Sequence, residues 1–155
     1  MSALTPLIGV VAGAAAGGLL MMRAARQCRR PSDRAGRTVL ERMNASHAAV
    51  TQWGLSHVQI GEDFTILDVG CGGGRTIDRL ASIATRGKVY GVDYSGASVA
   101  TAGETNHRSI AEGRVDIQQA SVSQLPFPDA TLDLVTAQVF EEKEQGWICA
   151  IGTGA

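Results

Sequence analysis

Between residues 64 and 137, short apolar segments alternate with helical segments, and this alternation constrains the fold more than any other feature of the chain. The first segment, FTILDVG, is continuously apolar before it ends in an acid and a glycine, which is typical of a buried parallel strand. The predicted strands are residues 64–70, 88–93, 114–120 and 132–137, and the predicted helices are residues 75–84 and 95–111. Because parallel strands need crossover connections, the pattern predicts an α/β fold with a doubly wound parallel sheet. Apolar spacing over Thr38–Leu55 predicts further helix before the sheet.

The turn after the first predicted strand is rich in glycine. Residues 66–74 have the sequence ILDVGCGGG, in which an acid is followed by alternating glycines. Such a turn between a strand and a helix lets the backbone approach a ligand closely and directs free amides towards it. The dinucleotide fingerprint would need glycine at the position of Arg75, so the sequence disfavours a nicotinamide-dependent oxidoreductase. The second predicted strand ends in Asp93, where a carboxylate can accept both hydroxyls of a ribose.

Taken together, these segments resemble the class I S-adenosylmethionine-dependent methyltransferases. Residues 66–74 are similar to motif I of that family, and residues 91–95 are similar to the end of its second strand. Residues 121–129, with the strand after them, resemble its adenine loop and fourth strand, and residues 43–57 resemble the helices before the core in one small-molecule subgroup. The resemblance covers Met43–Ala137 and implies a Rossmann-like fold, S-adenosyl-L-methionine as cofactor, and methyl transfer to a small-molecule acceptor.

The resemblance implies a set of cofactor-binding positions: Asp68, Gly70, Cys71, Gly72, Gly74, Asp93, Tyr94, Ser121 and Val122. The three glycines would form the turn beneath the methionine part of the cofactor, and Asp68 would order that turn. From the residues alone, Asp68 could instead cap the following helix. Cys71 is expected to be a small buried residue and not a nucleophile.

The remaining positions would surround the adenosine part. The resemblance implies that Asp93 holds the ribose hydroxyls and that Tyr94 packs on the adenine edge, although Tyr94 could also be a core residue. Ser121 and Val122 occupy the adenine-loop position, where many relatives have an acid in place of the serine. No residue is assigned as a catalytic base, because a base is needed only for acceptors of suitable pKa. No metal site is expected.

An uncharged run precedes the sheet-forming part of the chain. Ala3–Met22 contains twenty residues without a charge, long enough to cross a bilayer as a helix of ~30 Å. Four arginines follow within Arg23–Arg30, which predicts a single-pass membrane anchor with the C-terminal part in the cytosol. An organellar transit peptide and a soluble extension are the alternatives. Gly9, Gly13 and Gly17 share one helical face, a pattern compatible with a homodimer.

The charge distribution separates two parts of the chain. Residues 1–42 carry seven arginines and two acids, whereas residues 43–155 carry seven basic and thirteen acidic side chains. This asymmetry excludes a uniformly basic nucleic-acid-binding protein, and no nucleic-acid partner is expected. Three separated cysteines form no disulfide framework or zinc motif. We therefore divide the chain into an anchor with its basic flank (1–30), a linker (31–42), a methyltransferase-like domain (43–137) and a divergent tail (138–155).

The resemblance ends at Ala137. Methyltransferases of this family continue with further strands and much of the acceptor pocket, so we expect a truncated form that keeps the cofactor half. A sheet in the order 3-2-1-4 would leave residues 132–137 as an apolar edge, which Trp147–Ile151 would cover as a short strand unless it forms a disordered tail. Two functions remain open: a membrane-anchored methyltransferase, and a non-catalytic, membrane-tethered fragment that retains the cofactor-binding fold.

Overall fold

A mixed sheet of five strands organises the part of the chain that the computed structural model describes, namely residues 38, 48–49, 51–128, 130–140 and 147–149. The strands are β1 (Thr65–Val69), β2 (Lys88–Asp93), β3 (Val115–Gln119), β4 (Leu134–Phe140) and β5 (Trp147–Cys149). Their order is β3-β2-β1-β4-β5, and the first four strands are parallel. The predicted parallel sheet and its order 3-2-1-4 are therefore confirmed.

Helices cover the sheet where crossovers were predicted. They are α1 (Arg75–Ile83), α2 (Gly96–Thr105) and α3 (His107–Ala111), and residues 51–55 form a helical segment before the sheet. β1 is buried at its three central residues, as a strand covered on both faces must be. Its Ile66 lies in one apolar cluster with Ile77 and Leu80 of α1 and with Val89 of β2. This core fixes the ends of β1 and β2 relative to the start of α1.

One helix differs from the sequence prediction. The helix expected over residues 95–111 is divided at Asn106, whose backbone angles of −106° and 14° depart from helical geometry. β5 is the short covering strand expected within Trp147–Ile151, and it pairs antiparallel with β4, joining Gln138 to Cys149 and Phe140 to Trp147. This pairing gives the exposed edge of β4 a hydrogen-bonding partner and extends β4 beyond the predicted end at residue 137.

The predicted anchor lies outside the residues that the structure describes, and so does the predicted linker apart from Thr38. Across the described segments, no helix combines the length and the hydropathy that crossing a bilayer would require. Residues 3–22, with their glycine face, lie outside those segments, so the membrane anchor and the homodimer stay predictions.

Candidate functional site

The first and second strands end side by side, because Val69 of β1 is in register with Val92 of β2. Beyond β1 the chain forms a glycine loop, defined here as residues 70–74, before α1 begins. The N–H groups of Gly70 and Cys71 both donate to the carbonyl of Val92, at 2.8 and 3.1 Å. The glycine loop is therefore fastened to the carboxyl end of β2, where ligands bind in open α/β sheets.

Asp93 joins the two strand ends through its carboxylate. Its Oδ2 accepts the N–H of Gly72 at 3.0 Å, and its Oδ1 accepts the N–H of Ser95 at 2.8 Å. The side chain is 8% exposed, so solvent or a ligand reaches only a small part of it. A carboxylate has about four acceptor positions, of which these two amides use two. Each oxygen thus retains acceptor capacity for one further donor.

Three glycines of the loop, Gly70, Gly72 and Gly74, have positive φ, and the surroundings of Gly70 and Gly74 differ. At Gly70, with φ of 70°, an added Cβ would meet nothing within 4 Å, so the backbone borders open space. At Gly74, with φ of 79°, an added Cβ would lie 2.8 Å from the Cα of Ala102 in α2. The space at Gly70 is compatible with a ligand against the backbone, whereas Gly74 allows close packing of the loop on α2.

Asp68 is buried between β1 and β4, with 3% of its surface exposed. It is in register with Thr136, whose hydroxyl donates to Asp68 Oδ1 at 2.7 Å. Burial raises the pKa of Asp68 to about 7, with a further increase from the charge of Asp93 and a decrease from the Thr136 hydrogen bond. Asp68 does not cap the following helix, because the N-cap of α1 is Gly74 and no side chain bonds there.

Cys71 is the second residue of the glycine loop and is buried. Burial raises the pKa of its thiol, and the neighbouring charges of Asp68 and Asp93 raise it further. A thiol that resists ionisation is a poor nucleophile. The structure thus agrees with the interpretation of Cys71 as a small buried residue.

The adenine-side candidates lie beyond the ends of β2 and β3. The N–H of Ala120 donates to the carbonyl of Asp93 at 3.1 Å, which places the start of the following loop beside β2. Tyr94 is 47% exposed and is therefore not a core residue. In the loop, Ser121 Oγ lies 2.8 Å from Ser123 Oγ, and Val122 is 68% exposed. The predicted positions thus meet at one edge of the sheet, with Tyr94 and Val122 presenting apolar surface.

Three polar residues that the sequence analysis did not single out contact this site. Thr136 was detectable as a polar residue within a mainly apolar strand, and it lies opposite Asp68 in the register of β1 and β4. Thr105 Oγ1 donates to the carbonyl of Gly73 at 2.9 Å, and Asn106 Nδ2 donates to that of Gly74 at 2.9 Å. No local pattern marks these two residues, because they act on a loop more than thirty residues earlier.

Comparison with known proteins supports the same interpretation. The profile of the family described as "Methyltransferase domain" matches residues 66–148. A probable S-adenosylmethionine-dependent methyltransferase of Mycolicibacterium smegmatis is 40% identical over 81 residues, 52% of this chain and 28% of the relative. The 27-O-demethylrifamycin SV methyltransferase of Amycolatopsis mediterranei is 35% identical over 72 residues, 46% of this chain and 26% of the relative. The chain thus spans about a quarter of the length of these curated relatives.

Solved structures share the fold. The methyltransferase partner in a complex with the Haloferax volcanii Trm112 methyltransferase activator superposes with a TM-score of 0.58 at 21% identity, covering 64% of this chain and 42% of that one. A SAM-dependent methyltransferase of Aquifex aeolicus superposes with a TM-score of 0.56 at 24% identity, covering 64% of this chain and 55% of that one. The family match covers more than half of the chain and agrees with its sheet order, so the chain belongs to the methyltransferase domain family, with the fold of class I S-adenosylmethionine-dependent methyltransferases.

Proposed function

We propose that the chain binds S-adenosylmethionine at the carboxyl ends of β1 and β2 and takes part in methyl transfer to a small-molecule acceptor. S-adenosylmethionine is the cofactor of the family to which the chain belongs. The proposed acceptor class is supported by relatives such as the 27-O-demethylrifamycin SV methyltransferase, whose name states a small-molecule substrate.

The arrangement of Asp93 and the glycine loop is the observation that carries this proposal. The Asp93 carboxylate keeps one acceptor position on each oxygen, which matches the two hydroxyls of a ribose. The open space beside Gly70 lets the methionine part of the cofactor approach the backbone. Tyr94 presents an exposed ring near the same strand end, which suits contact with a flat base. These residues therefore fit the cofactor.

Methyl transfer from S-adenosylmethionine depends more on binding and orienting the two reactants than on reactive side chains. When bound, S-adenosylmethionine supplies an activated methyl group that passes to an acceptor by in-line displacement. The task of the chain's own residues is to hold the cofactor in one orientation, since positioning alone can contribute several kcal/mol, up to ~7–11, to such a reaction. No catalytic side chain is assigned among the described residues.

The second candidate is a cofactor-binding chain without catalytic activity. The contacts that favour this candidate are those of Asp93 and the glycine loop, which suit the cofactor and assign no residue to an acceptor. Cofactor binding without turnover on small-molecule extracts would favour this candidate. Methyl transfer from labelled S-adenosylmethionine to an extract component would favour the enzyme.

The test of cofactor binding is calorimetry with S-adenosylmethionine, S-adenosylhomocysteine and, as a control ligand, NAD⁺. Asp93→Ala should weaken both adenosyl ligands about 10- to 150-fold, since losing a charged acceptor costs ~1.5–3 kcal/mol. Asp116→Ala is the matched control, because its carboxylate bonds Gln118 on β3 and does not contact the glycine loop. Equal affinities for wild type and Asp93→Ala, in a folded variant, would remove Asp93 from the site.

We further propose that residues 3–22 anchor the chain in a membrane and that the sheet faces the cytosol. The support is the uncharged twenty-residue run followed by four arginines. The alternative from the same residues is a transit peptide that is removed in an organelle.

A further inference from the structure

We propose that Thr105 and Asn106 form a clamp that positions the glycine loop for the methionine part of the cofactor. The clamp is defined by these two residues, which lie where α2 ends and α3 begins. The inference deepens the proposed function and rests on it, because it assigns the clamp to the cofactor site at the end of β1. Neither residue belongs to the motifs that identify the site.

Thr105 holds one peptide group of the loop from the side of α2. Its Oγ1 donates to the carbonyl of Gly73 at 2.9 Å and lies 3.0 Å from the carbonyl of Thr101 in its own helix. The N–H of Gly74, in the same peptide group, donates to the carbonyl of Cys71 at 2.9 Å. Since a peptide group is planar, bonds at both ends fix its orientation.

Asn106 holds the next peptide group. Its Nδ2 donates to the carbonyls of Gly74 and Ala102, each at 2.9 Å. The Gly74 carbonyl also accepts the N–H of Asp78 at 3.1 Å, in the first turn of α1. Because C=O and N–H point in opposite directions in a trans peptide, the bonds from Asp78 and Asn106 together fix the orientation of the Arg75 N–H. That amide belongs to the first turn of α1, where N–H groups lack partners within the helix and can bind a ligand carboxylate.

The environment of Asn106 contains two unfavourable features, which its bond to the glycine loop helps to explain. The side chain is 2% exposed, and its Oδ1 is buried without a hydrogen-bond partner. The residue also interrupts the helix that would otherwise continue from α2 into α3. A buried acceptor without a partner and a broken helix are both unfavourable. Both are consistent with an amide group placed to serve the Gly74 carbonyl.

A matched set of threonine variants tests the clamp. Thr105→Val removes the hydroxyl with little change in shape, and Thr105→Ser restores it. Thr101→Val is the control, because the Thr101 hydroxyl makes the same bond to its own helix, to the carbonyl of Ala97 at 2.9 Å. Asn106→Leu removes the second half of the clamp. Each variant of the full chain is titrated with S-adenosylhomocysteine and with adenosine, which lacks the methionine part.

The clamp predicts a change in the ratio of the two affinities. Thr105→Val and Asn106→Leu should each weaken S-adenosylhomocysteine about 3- to 10-fold relative to adenosine, whereas Thr105→Ser and Thr101→Val should keep the wild-type ratio within twofold. A general loss of protein stability would weaken the binding of both ligands together and leave the ratio of their affinities unchanged. An unchanged ratio in both Thr105→Val and Asn106→Leu would overturn the clamp and leave the proposed function standing.

Amide hydrogen exchange tests the clamp without any ligand. Thr105→Val should speed exchange of the Gly74 N–H about 3- to 10-fold relative to Thr101→Val, because one end of its peptide group is released. Equal exchange rates in the two variants would overturn the clamp. If the wild-type chain bound neither ligand, the proposed function would fail, and the exchange rates would still decide whether the loop is held by α2.

Discussion

Replacing Asp68 by asparagine should make the folded state more stable at high pH and remove part of its pH dependence. The pKa of Asp68 is raised from 3.8 to about 7, mainly because the folded protein buries the carboxyl group. Between about pH 4 and pH 7 the folded state therefore keeps a proton that the unfolded state has lost. The free energy of unfolding then falls as pH rises through this window and reaches its low plateau above about pH 7.

The magnitude follows from the size of the shift. A change from 3.8 to about 7 at ~1.4 kcal/mol per pKa unit corresponds to a loss on the order of 4 kcal/mol across the window. The Thr136 hydrogen bond opposes part of this shift, because a hydroxyl that donates to the carboxylate favours its charged form. The effect of burial is the larger one, so the pKa of Asp68 stays well above its usual value.

The assay is urea unfolding of wild type and Asp68→Asn at pH values from 4.5 to 8. The two proteins should be of similar stability near pH 4.5, and the variant should become the more stable one as pH rises, because its amide can donate to Thr136 without carrying a charge. Asp78→Asn is the control, since it removes a solvent-exposed carboxylate from the first turn of α1. Parallel stability curves for wild type and Asp68→Asn would refute the argument.

The remaining predictions concern the glycine loop and the N-terminal run. Gly70→Ala should weaken S-adenosylhomocysteine binding at least tenfold in calorimetry, because the added methyl group enters space that borders the site, and its φ of 70° should cost ~1–2 kcal/mol of stability. Gly74→Ala should lose a further ~1–3 kcal/mol in urea unfolding, since its Cβ would also lie 2.8 Å from the Cα of Ala102; equal losses of stability in the two variants would contradict both assignments. A chain tagged at Ala155 should resist carbonate extraction from membranes, and deletion of residues 1–30 should release it. Recovery of the intact chain in the carbonate-soluble fraction would exclude an integral anchor, and a processed form about thirty residues shorter within an organelle would favour a transit peptide.

The sheet was predictable because its signals are local. β1 is a continuous apolar run that ends in a glycine-rich turn, and the alternation of strand and helix leaves few possible topologies. The helix boundary at Asn106 was not predictable from the residues around it. Asparagine is only mildly unfavourable within a helix, and the break depends on the contact of its amide with Gly74 in another part of the chain.

The candidate site was predictable in its position and less so in its internal contacts. Parallel strands place their carboxyl ends at one edge, so Gly70 and Asp93 had to lie near each other once the sheet was assumed. The hydrogen bond from Gly72 to Asp93 and that from Thr136 to Asp68 depend on side-chain geometry across strands. Such bonds need the register of the sheet, which no local pattern supplies.

The two acids of the site look equivalent in the sequence, since each lies at or near the end of a predicted strand, but the structure gives them different environments. Asp93 accepts two backbone amides and remains 8% exposed, so its carboxylate is both held in place and open to a donor from a ligand. Asp68 faces a single hydroxyl inside the sheet, where a proton on the acid is favoured by burial and by the charge of Asp93. Asparagine, which is neutral and has the same shape, can therefore replace Asp68 near pH 6. At Asp93, the NH₂ group of an asparagine would face a backbone N–H, and two donors cannot bond each other. Cofactor affinity should accordingly survive Asp68→Asn within a few fold and fall sharply in Asp93→Asn, which separates an acid that connects β1 to β4 from an acid that holds the ligand.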